Sequence, residues 1–224
     1  MLDKLSTLDQ ILGAAGRLVQ TRGYHAFSYA DISEEVGIRK ASIHYYFPSK
    51  ADLGKALVSR YRKDFGRKVE LIALQTLGRD QQLQRYAQVF RDILRGSGPQ
   101  DAGRICLCGV LAAEWQGLPE GVQEEVQGFF SENEAWLAGV LEAGRASEVL
   151  HFQGLASMQA AAFLAGLEGA LLSARARQDI TLYCAIAHQL LAHLGLDTLD
   201  LYPLDLDVGE YTQITPSSPA RSHR

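Results

Sequence analysis

An all-α fold is predicted by three features of the 224-residue chain. Apolar residues recur at spacings of three and four through most of its length, the period of one helix face. No stretch alternates apolar and polar residues long enough to read as a strand. Clusters of glycine and proline separate the periodic stretches and act as stops between helices.

The first helix is carried by Leu5, Leu8, Ile11, Leu12, Ala15, Leu18 and Val19 and ends at Gly23. Ser28 follows as the N-cap of a short helix over about 29–36, with Asp31 near its positive end. Gly37 breaks the chain, and a second short helix runs over about 40–47. Pro48 and Ser49 interrupt it, and Ser49 caps a third helix running through Leu53, Leu57 and Tyr61 towards Leu74. Longer helices are predicted over 80–94, 102–115, 120–144, 157–177 and 180–194. The segment after Gly195 is rich in Asp, Pro, Ser and Thr and reads as a frayed tail. The resulting division is a unit of one longer and two short helices over 1–50, a larger helical body over 51–195 and a polar tail over 196–224.

Hydrophobic residues make up 47% of the chain and charged residues 21%, which suits a globular protein. No apolar run approaches the roughly 20 residues that span a bilayer, and Met1-Leu2-Asp3-Lys4 lacks the pattern of a secretory leader. A cytoplasmic protein without a membrane partner is expected, with its three cysteines reduced. The net charge of −4 averages two unlike parts. Residues 1–68 hold 12 Lys/Arg against 7 Asp/Glu, a balance of +5, while the remainder holds 10 against 19, a balance of −9. A basic third on an acidic body suits a polyanion bound at one end.

Residues 28–47 are laid out as a helix-turn-helix. Tyr29, Ile32 and Val36 form the inner face of its first helix, and Gly37 supplies the turn, where positive φ is needed. The second helix carries Arg39, Lys40, Ser42, His44, Tyr45 and Tyr46, a set of cations, hydroxyls and rings suited to phosphates, base edges and thymine methyls. Ile43 and Phe47, four apart, face inward. Tyr45 and Tyr46 also admit a reading as core aromatics.

This stretch resembles the TetR family of bacterial regulators. The resemblance lies in Asp31-Ile32, in Gly37-Ile38-Arg39-Lys40-Ala41-Ser42-Ile43, and above all in His44-Tyr45-Tyr46-Phe47-Pro48-Ser49-Lys50-Ala51-Asp52-Leu53. It implies that Lys40, Ala41 and Ser42 approach bases, that His44, Tyr45 and Lys50 grip phosphates, and that Ser28 meets the DNA backbone. Val36 and Ala41 depart from the family's usual small residue and glycine at those places and leave the operator sequence open. The resemblance further implies double-stranded operator DNA as partner, a homodimer built on the last two long helices, and a body with a cavity for a small-molecule effector. Phe90, Leu94, Val110, Leu111, Trp115, Phe129, Trp136 and Phe163 are candidate cavity walls. The expected function is a repressor released from DNA by a small ligand or by thiol modification; the alternative is an architectural DNA-binding protein without a ligand.

Cys106 stands near the start of a helix beside Arg104, where a helix dipole lowers a thiol's pKa and favours attack by electrophiles. The segment Ile105-Cys106-Leu107 with Ala113-Glu114 also resembles a TetR subgroup, some of whose members respond to electrophiles or oxidants. Small buried core residues are the other reading of Cys106 and Cys108. On one helix the two would point about 200° apart and would not bridge without local unwinding. Cys106, Cys108, His151, Cys184, His188 and His193 have no familiar metal-ligand spacing, so neither a metal nor a cofactor is expected. No phosphate loop, nucleophile motif or dinucleotide fingerprint points to an enzyme.

Overall fold

The computed structural model describes residues 6–75, 77–96 and 104–196. Expectations placed on the first five residues, on residues 102 and 103 and on the tail beyond Leu196 lie outside them. The described chain is helical, and it begins with a compact triad: α1 (Thr7–Arg22), α2 (Tyr29–Val36) and α3 (Lys40–Tyr46). The long α4 (Lys50–Leu74) leaves the triad and enters the body, which holds α5 (Arg79–Arg95), α6 (Leu107–Ala113), α7 (Glu120–Ala146), α8 (Ala156–Arg177) and α9 (Ile180–Ala192). The chief packings are α7 on α8, α8 on α9, and α4 on α7, with α5 against α4, α7, α8 and α9.

Local chemistry sets the helix starts. Ser6 caps α1 by accepting from the Asp9 amide at 3.1 Å. Ser49 and Asp52 form a capping box on α4: the Asp52 amide donates to Ser49 Oγ at 3.1 Å and the Ser49 amide donates to Asp52 at 3.0 Å. The expected helix over 102–115 is shorter in the structure. Arg104, Ile105 and Cys106 are not helical, α6 begins at Leu107, and Trp115 belongs to a separate 3₁₀ turn, Trp115–Gly117. The extended start has a cause, since the Ile105 carbonyl is turned to accept from the Gln20 side-chain amide of α1 at 2.7 Å.

One core runs through triad and body. Ile11, Ala15, Leu18, Ile32, Ile43 and Leu53 are buried in the first, and Leu83, Phe90, Leu111, Phe129, Leu141 and Leu167 in the second. Five rings form its centre. Phe65 of α4 stands 5.4 Å from Phe90, 5.1 Å from Phe129, 6.0 Å from Tyr86 and 6.3 Å from Tyr61, centroid to centroid. The single long helix that leaves the triad is thereby fixed at the middle of the body's packing.

Candidate nucleic-acid interface and sensing core

Helices α2 and α3 are held by their inner faces. Ser28 and Asp31 form a capping box, with the Ser28 amide donating to Asp31 at 2.8 Å. Gly37 turns the chain in the left-handed region, at φ 74°. Ile43 and Phe47 are buried, and the Tyr29 hydroxyl donates to the Phe47 carbonyl at 2.9 Å. The opposite face of α3 is free: Arg39, Lys40, Ala41 and His44 are exposed, Ser42 is half-buried, and Tyr45 is 83% exposed. Tyr46 is exposed as well and stands edge-on to Tyr45 at 5.3 Å, so neither ring is a core aromatic.

At one end of this face a shallow depression of about 490 Å³ is lined by Ser28, Tyr29, Ala30, Lys40, His44 and Lys50, with Phe27 beside them. The N-terminus of α2 and two lysines meet there, an arrangement that favours an anion. Lys50 is half-buried. Its ammonium donates to the Phe27 carbonyl at 2.5 Å and lies over the Phe27 and Tyr24 rings at 4.2 and 4.9 Å. Burial lowers its pKa, while Glu114 and Asp31 pull the other way.

Three body residues grip the end of α1 and the loop after it. Besides the Gln20–Ile105 bond, Arg175 of α8 donates to the Gln20 and Thr21 carbonyls at 3.0 and 3.3 Å. Glu114, just after α6, accepts from the Tyr24 amide at 3.0 Å and from the His25 amide at 3.3 Å. Gly23 makes room for this carboxylate: at φ 91° it is strained for any other residue, and a Cβ there would collide with Glu114. Glu114→Ala leaves two backbone donors without their acceptor. The expected cost is about 1.5–3 kcal/mol, with Glu114→Gln recovering part of it. Urea unfolding measures the loss, and hydrogen exchange at Tyr24 and His25 localises it; unchanged exchange there would break the link to these amides.

The candidate cavity walls fall into different settings. Phe90 and Phe129 belong to the central ring cluster, and Trp136 stacks on Tyr86 at 5.4 Å. Leu111 and Phe163 are buried, Val110 and Trp115 are half-buried, and Leu94 borders a surface cavity with Arg95, Arg175 and Ile180. A groove of about 480 Å³ lies between α1, α4 and α5, with Leu57, Tyr61, Phe65 and Leu107 among its apolar lining and Arg17, Arg60, Lys68 and Arg104 among its cations.

Cys106, Cys108 and Cys184 are all buried and free. Burial pushes the Cys106 thiol well up, and Cys108 adds to this; hydrogen bonds with Glu168 and Tyr61 act the other way. The direction is opposite to the one expected from the helix start. A dipole at a surface site is worth about 0.3–1 kcal/mol, whereas burying a charge costs several. The Tyr61 hydroxyl reaches Cys106 Sγ at 3.5 Å. Glu168 of α8 completes the cluster, and burial, with Cys106 next, pushes its carboxyl pKa up to about 10. The sequence signal for Glu168 was available, because it is the only charged residue in the apolar run 158–172. Nothing local marked Gln20 or Arg175, whose partners lie 85 and 155 residues away. Among the described residues no three His, Cys, Asp or Glu side chains gather as a metal site, and no helix is long and apolar enough to cross a membrane.

Residues 11–57 match the family model for bacterial regulatory proteins of the tetR family. A TetR-family transcriptional regulator from Agrobacterium tumefaciens is 38% identical and superposes with a TM-score of 0.79, over 84% of this chain and 96% of that one. A TetR transcriptional regulator from Legionella pneumophila is 30% identical at a TM-score of 0.78, over 86% of this chain and all of that one. The transcriptional regulator AcuR of Cereibacter sphaeroides is 28% identical over 154 residues, 69% of each chain.

Proposed function

Because the chain belongs to the TetR family of bacterial transcriptional regulators, we propose that it is a homodimeric repressor that occupies a palindromic operator and leaves it when an effector reshapes its body. The observation that carries this reading is the free outer face of α3, with Tyr45 83% exposed on a helix anchored from behind by Ile43 and Phe47. On this reading Lys40, Ala41 and Ser42 meet base edges in the major groove. Arg39, His44, Tyr45, Lys50 and the Ser28 end of α2 meet phosphates. Half-sites then lie about one helical turn or somewhat more apart.

The exposed apolar side chains Leu155, Met158 and Leu172, on and just before α8, support a second copy of the chain as the partner of the α8–α9 face. The effector is a small molecule or a thiol-modifying electrophile, and it must bind or form the DNA-incompetent state preferentially. Helix α4 is the lever, since it joins the triad to the ring cluster and sets the separation of the two recognition helices. The regulator names of the relatives support a non-enzymatic role, and an operator partner supports a cytoplasmic location.

Tyr45→Ala tests the interface. A duplex selected from random-sequence DNA by the parent protein serves as operator. The variant is expected to bind it about tenfold more weakly or worse, with its urea midpoint unchanged because the ring packs on nothing buried. Parental affinity in the variant would remove Tyr45 from the DNA contact and leave the orientation of α3 unsupported.

A further inference from the structure

Helix α1 carries two glycines in its interior, Gly13 and Gly16, about one turn apart. Glycine is the poorest helix former after proline, so such a pair needs a reason. Packing does not supply it. A Cβ at Gly13 would meet nothing closer than Arg17 Nη1 at 3.6 Å, and one at Gly16 nothing closer than Leu57 Cδ1 at 3.5 Å, both ordinary contacts. What the two glycines keep open is space, because both line the groove between α1, α4 and α5.

At about 480 Å³ that groove has the size of a small-molecule site. Its floor is apolar, with Leu12, Leu57, Phe65 and Leu107 buried beneath it. Its charge is one-sided: Arg17, Arg60, Lys68 and Arg104 stand against Asp64 and Asp92. Both acids are already engaged, Asp64 with Arg60 at 3.6 Å and with Arg67, and Asp92 with Arg91 at 3.1 Å. Arg17 holds Glu35 through Nε and Nη2 at 2.5 Å, which turns its Nη1 to the bare flank at Gly13. Arg104 is half-buried, and its pKa is lowered by burial and then by the Arg17 charge, with Glu35 opposing. Two guanidiniums that repel each other beside an apolar floor favour an anion with an apolar body. None of the residues expected from the sequence to wall a cavity in the body lines this groove.

We propose that the groove binds a small amphiphilic anion, a carboxylate on an apolar body of roughly ten carbons, and that its occupant ties the triad to the body. The carboxylate lies between Arg17 and Arg104, whose planar forks match its two oxygens. The apolar part lies on Leu57, Phe65 and Leu107, along the strip that Gly13 and Gly16 leave bare. Helix α1 belongs to the triad, whereas Arg104, α5 and most of α4 belong to the body. The occupant therefore touches both sides of the junction, next to the bond from the Gln20 side chain to the Ile105 carbonyl. A ligand that fits one placement of α1 against α4 better than another shifts the protein towards it. The effect on DNA rests on the regulator reading above; the binding does not.

The test titrates sodium decanoate, below its micellar concentration, into the full-length protein in a calorimeter. Saturable binding is expected, one site per chain, with a Kd of about 10–100 μM. Decylamine, which puts the opposite charge on the same chain, and neutral decanol bind at least about tenfold more weakly. Arg104→Gln weakens decanoate about tenfold. Gly13→Leu does the same by filling the groove, while its urea midpoint stays at or above the parent's, because leucine outranks glycine in a helix and has room here. Saturating decanoate changes affinity for the selected operator duplex at least about threefold, and bound operator changes decanoate affinity by the same factor.

No saturable binding below about 1 mM, decylamine held as tightly as decanoate, or decanoate binding unchanged in both variants would each overturn the site. A urea midpoint well below the parent's in Gly13→Leu would make that glycine a packing residue and remove the reason for the open strip. Saturable binding that leaves operator affinity unchanged would overturn the tie between triad and body. A protein that selects no DNA would fail the regulator reading while leaving the decanoate site intact.

Discussion

Phe65→Ala is expected to lower stability by about 3–5 kcal/mol, the largest loss from any single substitution considered for this chain. The ring is buried and meets four others within 6.3 Å, and edge-to-face pairs add to the area it buries. Removing it opens a cavity where α4, α5 and α7 converge. Phe65→Leu, which keeps most of the volume, is expected to cost much less. Urea unfolding with fluorescence and circular dichroism checks both, and operator binding should fall with the folded fraction. A loss below about 1 kcal/mol for the alanine variant would show that these rings close loosely on space a ligand can enter, and the cluster would then be the effector cavity itself.

Glu168→Gln is expected to flatten the dependence of stability on pH. The carboxyl holds its proton to about pH 10 in the folded protein, against an ordinary value of 4.5. Between those values the unfolded chain has released a proton that the folded chain keeps, so stability falls as pH rises. The stabilising contribution is full below about pH 4.5 and is lost progressively up to about 10. The slope is up to about 1.4 kcal/mol per pH unit, and a glutamine, which never ionises, removes it. Urea midpoints at pH 5.5, 7 and 8.5 for both proteins should diverge, with the variant the more stable at high pH. Parallel profiles would mean that Glu168 is ionised in the fold.

The elements readable in advance were those whose chemistry is local. Ser28, Gly37, Ser49 and the run from His44 to Leu53 each announce a cap, a turn or a face within a few residues, and the helix-turn-helix followed from them. The start of α6 was misplaced because its extension is imposed by Gln20, a residue 85 positions earlier. Of the two readings of Cys106, the lowered thiol pKa of a helix start gives way to the buried core residue for a related reason. A helix start is visible in sequence, but the burial that outweighs it depends on how α4, α6 and α8 close over the sulfur. Glu168 was visible as a lone acid in an apolar run, yet its protonated state follows only from where α8 packs.

The grip of Ile105, Glu114 and Arg175 on the end of α1 bears on how this protein can be recombined with others. A chimera cut near Lys50, joining these first fifty residues to another protein's body, would carry α3 but leave behind Leu53, Leu57 and Val58 of the core around it. It would also strand the Tyr24 and His25 amides, the Gln20 side chain and two carbonyls of α1, all of which are satisfied here from across the junction. A working graft has to carry matching partners at three separated points of the recipient, so the transplantable unit is a surface patch shared by both parts rather than a length of chain.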